Sequence, residues 1–216
     1  IELDGRPIAP ATPLEAQREG ISTVYQEVNL CPNLTVAENL FAGRYPRNRL
    51  GLIDHARVRE GARALLAELH LDIDIDRLLG SYPVAVQQMV AIARALGVSA
   101  RVLILDEPTS SLDQHEVREL FAVMRRLRER GLAILFVTHF LDQVYAISDR
   151  ITVFRDGQKI ETLNNESSVT IDEIIKRMLG NKTYSNYKRV HHYATDEVLL
   201  DVQNVSTDKL CDVSFQ

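Results

Sequence analysis

Long apolar runs are missing from this chain: nowhere in its 216 residues do apolar side chains continue for the 18 or so positions that a membrane-crossing helix needs. The opening residues Ile1-Glu2-Leu3-Asp4-Gly5 have neither the basic nor the apolar stretch of a secretory leader. Any role at a membrane is therefore expected to be peripheral. An excess of positive charge is missing too. The 25 Lys and Arg face 30 Asp and Glu, for a net charge of −5, which argues against a surface built to neutralise phosphates along DNA or RNA. Cysteine is scarce: Cys31 and Cys211 lie far apart with no Cys-x-x-Cys or Cys/His spacing, so no disulfide framework or zinc site is expected, and the cytosol fits. The alternating Asp72, Asp74 and Asp76 lack the glycine and closing glutamate of a calcium loop. A Gly-x-x-x-x-Gly-Lys-Ser/Thr phosphate cradle is also missing. Gly180-Asn181-Lys182-Thr183 resembles its end, but Gly and Lys are not adjacent and the segment follows a helical pattern.

What is present is ordinary globular material, with 45% hydrophobic and 25% charged residues and a mean hydropathy of −0.11. This length allows one domain, or one domain and part of another. The chain does not open on methionine and begins in what reads as a strand and turn, so a fragment is expected. A β-prone run from Ile21 to Tyr25 hands over at Gln26-Glu27 to a loop punctuated by Asn29, Pro32 and Asn33. Thr35 with Glu38 forms a capping-box pattern ahead of one helix, and Asp54 precedes another running from His55 to His70. Met89, Ile92, Ala93 and Leu96 recur at helical spacing, giving an amphipathic helix over residues 84–96.

The second half has a different rhythm. Val102-Leu103-Ile104-Leu105 and Ala133-Ile134-Leu135-Phe136-Val137 read as fully buried strands of a parallel sheet, joined by a helix that Asp113 caps and Gly131 ends. A short helix at residues 141–147, a hairpin turning at Asp156-Gly157 and a last helix at residues 170–179 follow. Residues 181–197 are polar and aperiodic, and Val198 to Val202 restarts as a strand. The arginines Arg125, Arg126, Arg128 and Arg130 read as a solvated helix face, Cys31 as a packing residue, and His191-His192 as part of a linker.

In an open α/β sheet, ligands sit beyond the carboxyl ends of the strands, so polar residues that end buried strands carry most of the functional information. Three ends qualify: Gln26, the pair Asp106-Glu107, and His139. Successive residues on a strand point to opposite sides, so Asp106 and Glu107 would divide the work, one holding a metal and one facing a reacting water. Each alone has a bland explanation, but an amide, a carboxylate pair and an imidazole together form a constellation for phosphate hydrolysis.

The run from Val102 through Asp106-Glu107-Pro108 to Asp113, with Phe136-Val137-Thr138-His139 after it and Val24-Tyr25-Gln26-Glu27 before it, resembles an ATP-binding cassette ATPase. Finer details, including Tyr25-Gln26-Glu27, Thr35 to Phe41 and Gly51-Leu52-Ile53-Asp54, are similar to the tandem ATPases of bacterial monosaccharide importers, of the ribose, galactose or galactofuranose type. The resemblance implies an α/β fold of the P-loop NTPase kind, with a mostly parallel core sheet and an inserted helical subdomain at about residues 34–98. It implies a partial first nucleotide-binding domain over residues 1–182, a linker at 183–196 and the start of a second such domain at 197–216, with the phosphate cradles lying outside this chain. ATP and Mg²⁺ are the implied cofactors. Asp106 would hold Mg²⁺, Glu107 would be the general base, His139 would contact the γ-phosphate, and Gln26 would sense both metal and phosphate. Asp113 would reach across a dimer interface. The implied partners are membrane permease subunits, through them a periplasmic sugar-binding protein, and the second nucleotide-binding domain of a full-length chain; nucleic acid is not among them. The implied location is the cytoplasmic face of the bacterial inner membrane.

One departure from the pattern stands out. The family's Leu-Ser-Gly-Gly-Gln signature is replaced by Tyr82-Pro83-Val84-Ala85-Val86, followed by Gln87. Pro83 removes a hydroxyl and Ala85 places a methyl where backbone must come close. Two readings stand: the helix N-terminus still serves phosphate through its Val84 and Ala85 amides, or, the reading favoured here, the signature is degenerate and the opposing site slower or regulatory.

Overall fold

The structure is a computed structural model, and it describes residues 1–26, 29–98, 100–166, 169–180, 198, 200–207 and 210–215. The expected linker at 183–196, with His191 and His192, lies outside the described residues. A small hairpin opens the chain, β1 (Glu2–Leu3) with β2 (Arg6–Pro7). Helix α1 (Pro13–Arg18) follows, capped by Thr12 with Pro13 in its first turn. This helix was not expected, because six residues without a buried position leave no apolar period to read. Strand β3 (Ile21–Val24) leads to three helices, α2 (Val36–Phe41), α3 (His55–Glu68) and α4 (Val84–Leu96). The capping box at Thr35 and Glu38 and the Asp54 cap form as the sequence indicates. Helix α3 stops two residues short of His70, which takes a left-handed φ of 56°.

Strand β4 (Val102–Asp106), helix α5 (Gln114–Glu129) and strand β5 (Ala133–Val137) complete the central unit. The sheet is parallel in the order β3-β4-β5, with Val24 beside Leu105 and Leu105 beside Phe136. One face carries Ser22, Val24, Leu103, Leu105, Ile134 and Phe136. Leu103 and Leu105 there are fully buried, the Ser22 hydroxyl donates to the Ala95 carbonyl of α4 at 3.0 Å, and the Phe136 ring meets Phe121 of α5 edge-on at 5.9 Å. Val36, Leu40, Leu79, Ile92 and Leu120 join the same cluster, so α2 to α5 share one core with the sheet.

The opposite face corrects the expectation that both apolar runs are fully buried. Val102 and Ile104 are half-buried, and on β5 Leu135 is 54% and Val137 44% exposed. The reason is geometric: α4 and α5 pack against the face of Leu103 and Leu105, while Leu135 and Val137 point the other way and stay open to solvent. A run of apolar residues records that a strand suits burial on both sides, not what is there to bury it.

Helix α6 (Leu141–Ile147), the hairpin of β6 (Arg150–Arg155) and β7 (Gln158–Asn164), and α7 (Ile171–Leu179) form a second layer around Ile151, Val153 and Ile174. The hairpin turns where expected, at Asp156 (φ 50°) and Gly157 (φ 75°), the left-handed pair that matches strand twist. Strands β8 (Val202–Val205) and β9 (Val213–Phe215) pair near the end. The expected strand at Val198 starts only at Val202, since Val198, Leu200 and Asp201 are not in a strand.

Two bland expectations also change. Cys31 is exposed, not packed; its backbone is what matters, because Asn39, fully buried, accepts from the Cys31 N–H at 2.8 Å and donates to its carbonyl at 2.9 Å. The α5 arginines are more than a solvated face. Arg126 donates to the Leu69 carbonyl and Arg125 to that of Ala146, while Arg128 pairs with Asp149 at 3.1 Å and Arg130 with Glu68 at 3.5 Å.

Candidate functional site

Parallel pairing in register brings three strand ends to one edge of the sheet: Val24 of β3 is level with Leu105, and Asp106 of β4 is level with Val137 of β5. Gln26, Glu107 and His139 each lie one or two residues beyond such an end. Of the residues expected to act, Glu107 and His139 are in contact: His139 Nδ1 is 3.1 Å from Glu107 Oε1. The Glu107 side chain is 28% and the His139 side chain 58% exposed, so the pair is open to solvent and to a ligand. The His139 ring also stacks at a tilt on Phe140, with centroids 4.1 Å apart.

Glu107 is held in an unusual conformation. Its φ of 44° is left-handed, which disfavours a residue with a Cβ, and it precedes Pro108, whose ring restricts the preceding backbone further. Such strain persists where surrounding bonds over-determine it. Here the Glu107 N–H donates to the Val137 carbonyl at 2.9 Å, which extends the β4–β5 ladder by one bond and turns the carboxylate towards the end of β5. Downstream, Thr109 is buried, and its hydroxyl donates to Gln143 Oε1 of α6 at 2.6 Å, tying the turn after Glu107 to the helix after His139. Sequence reasoning missed Thr109, Gln143 and Phe140; their nearness in sequence to Glu107 and His139 was the available signal.

Asp106 is half-buried, and among the described residues its carboxylate has neither a hydrogen-bond donor nor a cation beside it. Gln26 is exposed, and the two residues after it lie outside the described residues. No cluster of three or more His, Cys, Asp or Glu able to hold a metal exists among the described residues. A carboxylate and an amide oxygen nevertheless suit Mg²⁺, a hard cation that takes one or two protein oxygens and fills its other positions with phosphate oxygens and water.

The remaining expected residues are elsewhere. Asp113 caps α5, accepting from the His115 and Glu116 N–H groups at 2.7 and 2.8 Å; the Glu116 N–H first, with that of His115, holds its carboxyl below the usual range. Val84 and Ala85 open α4, whose N-cap is Pro83 and which has no side-chain cap, leaving first-turn N–H groups free. Gln87 is engaged locally, its amide donating to the Tyr82 carbonyl at 2.9 Å. The neighbouring Gln88 is buried, and its Nε2 has no partner. No hydrogen bond or ion pair among the described residues joins the first turn of α4 to Glu107 or His139. A pocket of about 400 Å³ between the end of α3 and the following loop, lined by Arg63, Leu66, His70 and Ile73 among others, contains none of these residues.

The parallel β3-β4-β5 sheet with helices packed on it is a fold shared with solved ATP-binding cassettes. The chain superposes on a nucleotide-free ATP-binding cassette from an ABC transporter with a TM-score of 0.67, at 24% identity, over 84% of this chain and 76% of that one. Against a dimeric cassette structure in a post-hydrolysis state with ADP and Pi the TM-score is 0.61, at 24% identity, over 76% of this chain and 72% of that one.

Residues 1–110 match the ABC transporter domain family, to which this chain belongs. It is 51% identical over 181 residues to the fructose import ATP-binding protein FruK of Bifidobacterium longum, covering 83% of this chain and 35% of that protein. It is 51% identical over 180 residues to the galactofuranose transporter ATP-binding protein YtfR of Escherichia coli, covering 83% and 36%. It is 43% identical over 205 residues to the ribose import ATP-binding protein RbsA 1 of Rubrobacter xylanophilus, covering 95% and 40%. The chain therefore spans well under half the length of these relatives.

Proposed function

We propose that this chain is part of the ATP-hydrolysing, energy-coupling subunit of a sugar importer, and that it supplies the groups that activate water. The observation that carries the reading is the Glu107–His139 pair at the end of a parallel sheet, next to Asp106, whose carboxylate has no partner among the described residues. When bound, Mg-ATP supplies the phosphoryl group whose transfer to water drives transport. Asp106 and Gln26 are the side chains that would hold the metal. Glu107 Oε2, the oxygen not engaged with His139, takes a proton from the attacking water. His139, with Nδ1 donating to Glu107 Oε1, would fix that carboxylate and leave Nε2 available to contact the γ-phosphate. Phosphoryl transfer needs positioning and charge stabilisation more than covalent chemistry, which suits a site whose rigidity comes from backbone bonds.

The 216 residues contain no phosphate-cradling motif. On its own the chain is expected to bind Mg-ATP with a Kd of about 1 mM or weaker and to show no turnover; micromolar affinity by calorimetry would overturn this division of labour. In the assembled importer, Glu107→Gln is expected to cut ATP turnover by ~10²-fold or more with nucleotide affinity unchanged. Turnover within a few-fold of wild type rules out Glu107 as the base. Pro83 and Ala85 make the signature degenerate and the opposing site slower or regulatory; the Val84 and Ala85 N–H groups at the start of α4 would face the phosphate of the opposing domain, and Asp113 would reach across the same dimer interface.

The partners of this reading are membrane permease subunits, a periplasmic sugar-binding protein acting through them, and a second nucleotide-binding domain in a full-length chain. The location is the cytoplasmic face of the inner membrane. No helix among the described residues is long and apolar enough to cross a membrane, and the importer names of the relatives support attachment through a permease. The net charge of −5 speaks against nucleic acid.

A further inference from the structure

Residues 42–54, which join α2 to α3, contain three arginines (Arg44, Arg47 and Arg49) and a single carboxylate, Asp54, with Arg57 following in the first turn of α3, in a chain whose net charge is −5. This connection is an ordered turn. Asn48 N–H donates to the Leu52 carbonyl at 2.8 Å, and the Asn48 side-chain oxygen accepts from the N–H groups of Leu50 and Leu52 at 2.9 and 3.1 Å. Arg47 Nη1 donates to the Gly51 carbonyl at 2.6 Å, Asp54 N–H closes on Pro46, and Gly51 adopts a φ of 79° that a side chain would disfavour.

The N–H groups of Asn48, Leu50, Gly51, Leu52 and Asp54 are thus bonded within the turn, and its apolar side chains are held outward. Leu50 is 83%, Leu52 63% and Ile53 37% exposed. Leaving leucines in water forfeits the free energy of burying them, and a turn pinned by this many bonds cannot fold them back. The charges beside them are uncompensated. Arg57 sits 3.5 Å from Asp54, but neither Arg47 nor Arg49 has a carboxylate partner among the described residues.

An apolar tip flanked by guanidiniums without carboxylate partners is the composition that settles at a bilayer interface, with leucine in the acyl boundary and arginine among anionic headgroups. We propose that the turn from Arg47 to Ile53 docks on an anionic lipid surface, giving the chain a direct membrane contact of its own. The ATPase reading is not needed for this, and the vesicle assay uses neither nucleotide nor permease, so the two can fail separately.

The 216-residue chain is sedimented with phosphatidylcholine vesicles, with and without about 30 mol% phosphatidylglycerol, at about 50 and 200 mM salt. Binding to the anionic vesicles is expected, with little to the neutral ones, and should weaken at the higher salt. Leu50→Ser with Leu52→Ser should lower partitioning by about tenfold or more, and Arg49→Gln, which disturbs no bond of the turn, by roughly fivefold. Circular dichroism of both variants should match wild type. Absence of binding, equal binding to neutral vesicles, or binding that survives the leucine changes overturns the proposal. Capture by permease in detergent without any vesicle binding also overturns it, in favour of a protein surface.

Discussion

Asn39 offers a sharp test of the packing behind the strand ends. Its side chain is fully buried: the two Nδ2 hydrogens are shared among the carbonyls of Cys31, Thr35 and Leu34 at 2.9, 3.0 and 3.3 Å, and Oδ1 accepts from the Cys31 N–H. The residue thereby clamps the loop after Gln26 onto α2. Asn39→Asp keeps the volume, so no cavity contributes, but it replaces the donor facing three carbonyls with an acceptor. At about 1 kcal/mol for each lost bond, and more for a carboxylate pressed against carbonyl dipoles, the cost is about 3–5 kcal/mol. That is a large share of the 5–15 kcal/mol typical of a folded domain. Urea unfolding followed by circular dichroism should show the midpoint falling by about 2 M at an unchanged slope of about 2 kcal/mol/M. The introduced carboxyl is favoured neutral in the folded state, so its folded pKa is raised; the deficit should be smallest below about pH 4 and grow as pH rises through that raised value. A loss under about 1 kcal/mol at pH 7 would refute the clamp.

Two further outcomes follow from neighbouring residues. Arg44 donates to the Leu40 and Arg94 carbonyls at 2.9 and 2.6 Å, capping the ends of α2 and α4 together, yet burial and then the nearby Arg94 lower its pKa, and its Nη1 is buried without a partner. Arg44→Met should cost only about 1–2 kcal/mol, because relief of desolvation offsets the lost caps; a loss above about 3 kcal/mol in the same unfolding assay would show that the caps dominate. Hydrogen bonds from the Thr35 backbone first, and then its hydroxyl, hold the Glu38 carboxyl below its usual range. A depressed pKa means the contribution is present above the unfolded value and is lost as pH falls through the folded one. The stability gap between wild type and Glu38→Gln should therefore be about 0.5–1 kcal/mol at pH 7 and close in acid, and a gap independent of pH would count against it.

Much of the fold was legible because its signals are local. Thr35 with Glu38 and Asp113 with Glu116 form full capping boxes, and α4 and α6 have the bounds their patterns indicate. The candidate site was legible as a set of strand ends, since buried apolar runs show where strands stop. Other features depend on residues far away in sequence. Nothing in Ala133 to Val137 tells that one face of β5 lacks a cover, and nothing in Cys31 tells that Asn39 binds its backbone instead of its thiol. The left-handed turn at Glu107 was also hidden, because glutamate before proline argues for extended backbone.

The pairing of Ile21 with Val102 encloses the whole of α2, α3 and α4 between two neighbouring strands. Closing so long a loop costs roughly 4 kcal/mol of chain entropy before any ladder bond compensates for it. Strands β4 and β5 are joined by α5 alone and can associate sooner, whereas β3 must wait for the three helices to collapse. The sheet edge is thus completed late in folding. Glu107 and His139 belong to the fast, local half, and Gln26 arrives with the slow one, so a folding intermediate of this chain would hold the Glu107–His139 contact before Gln26 joins the same edge.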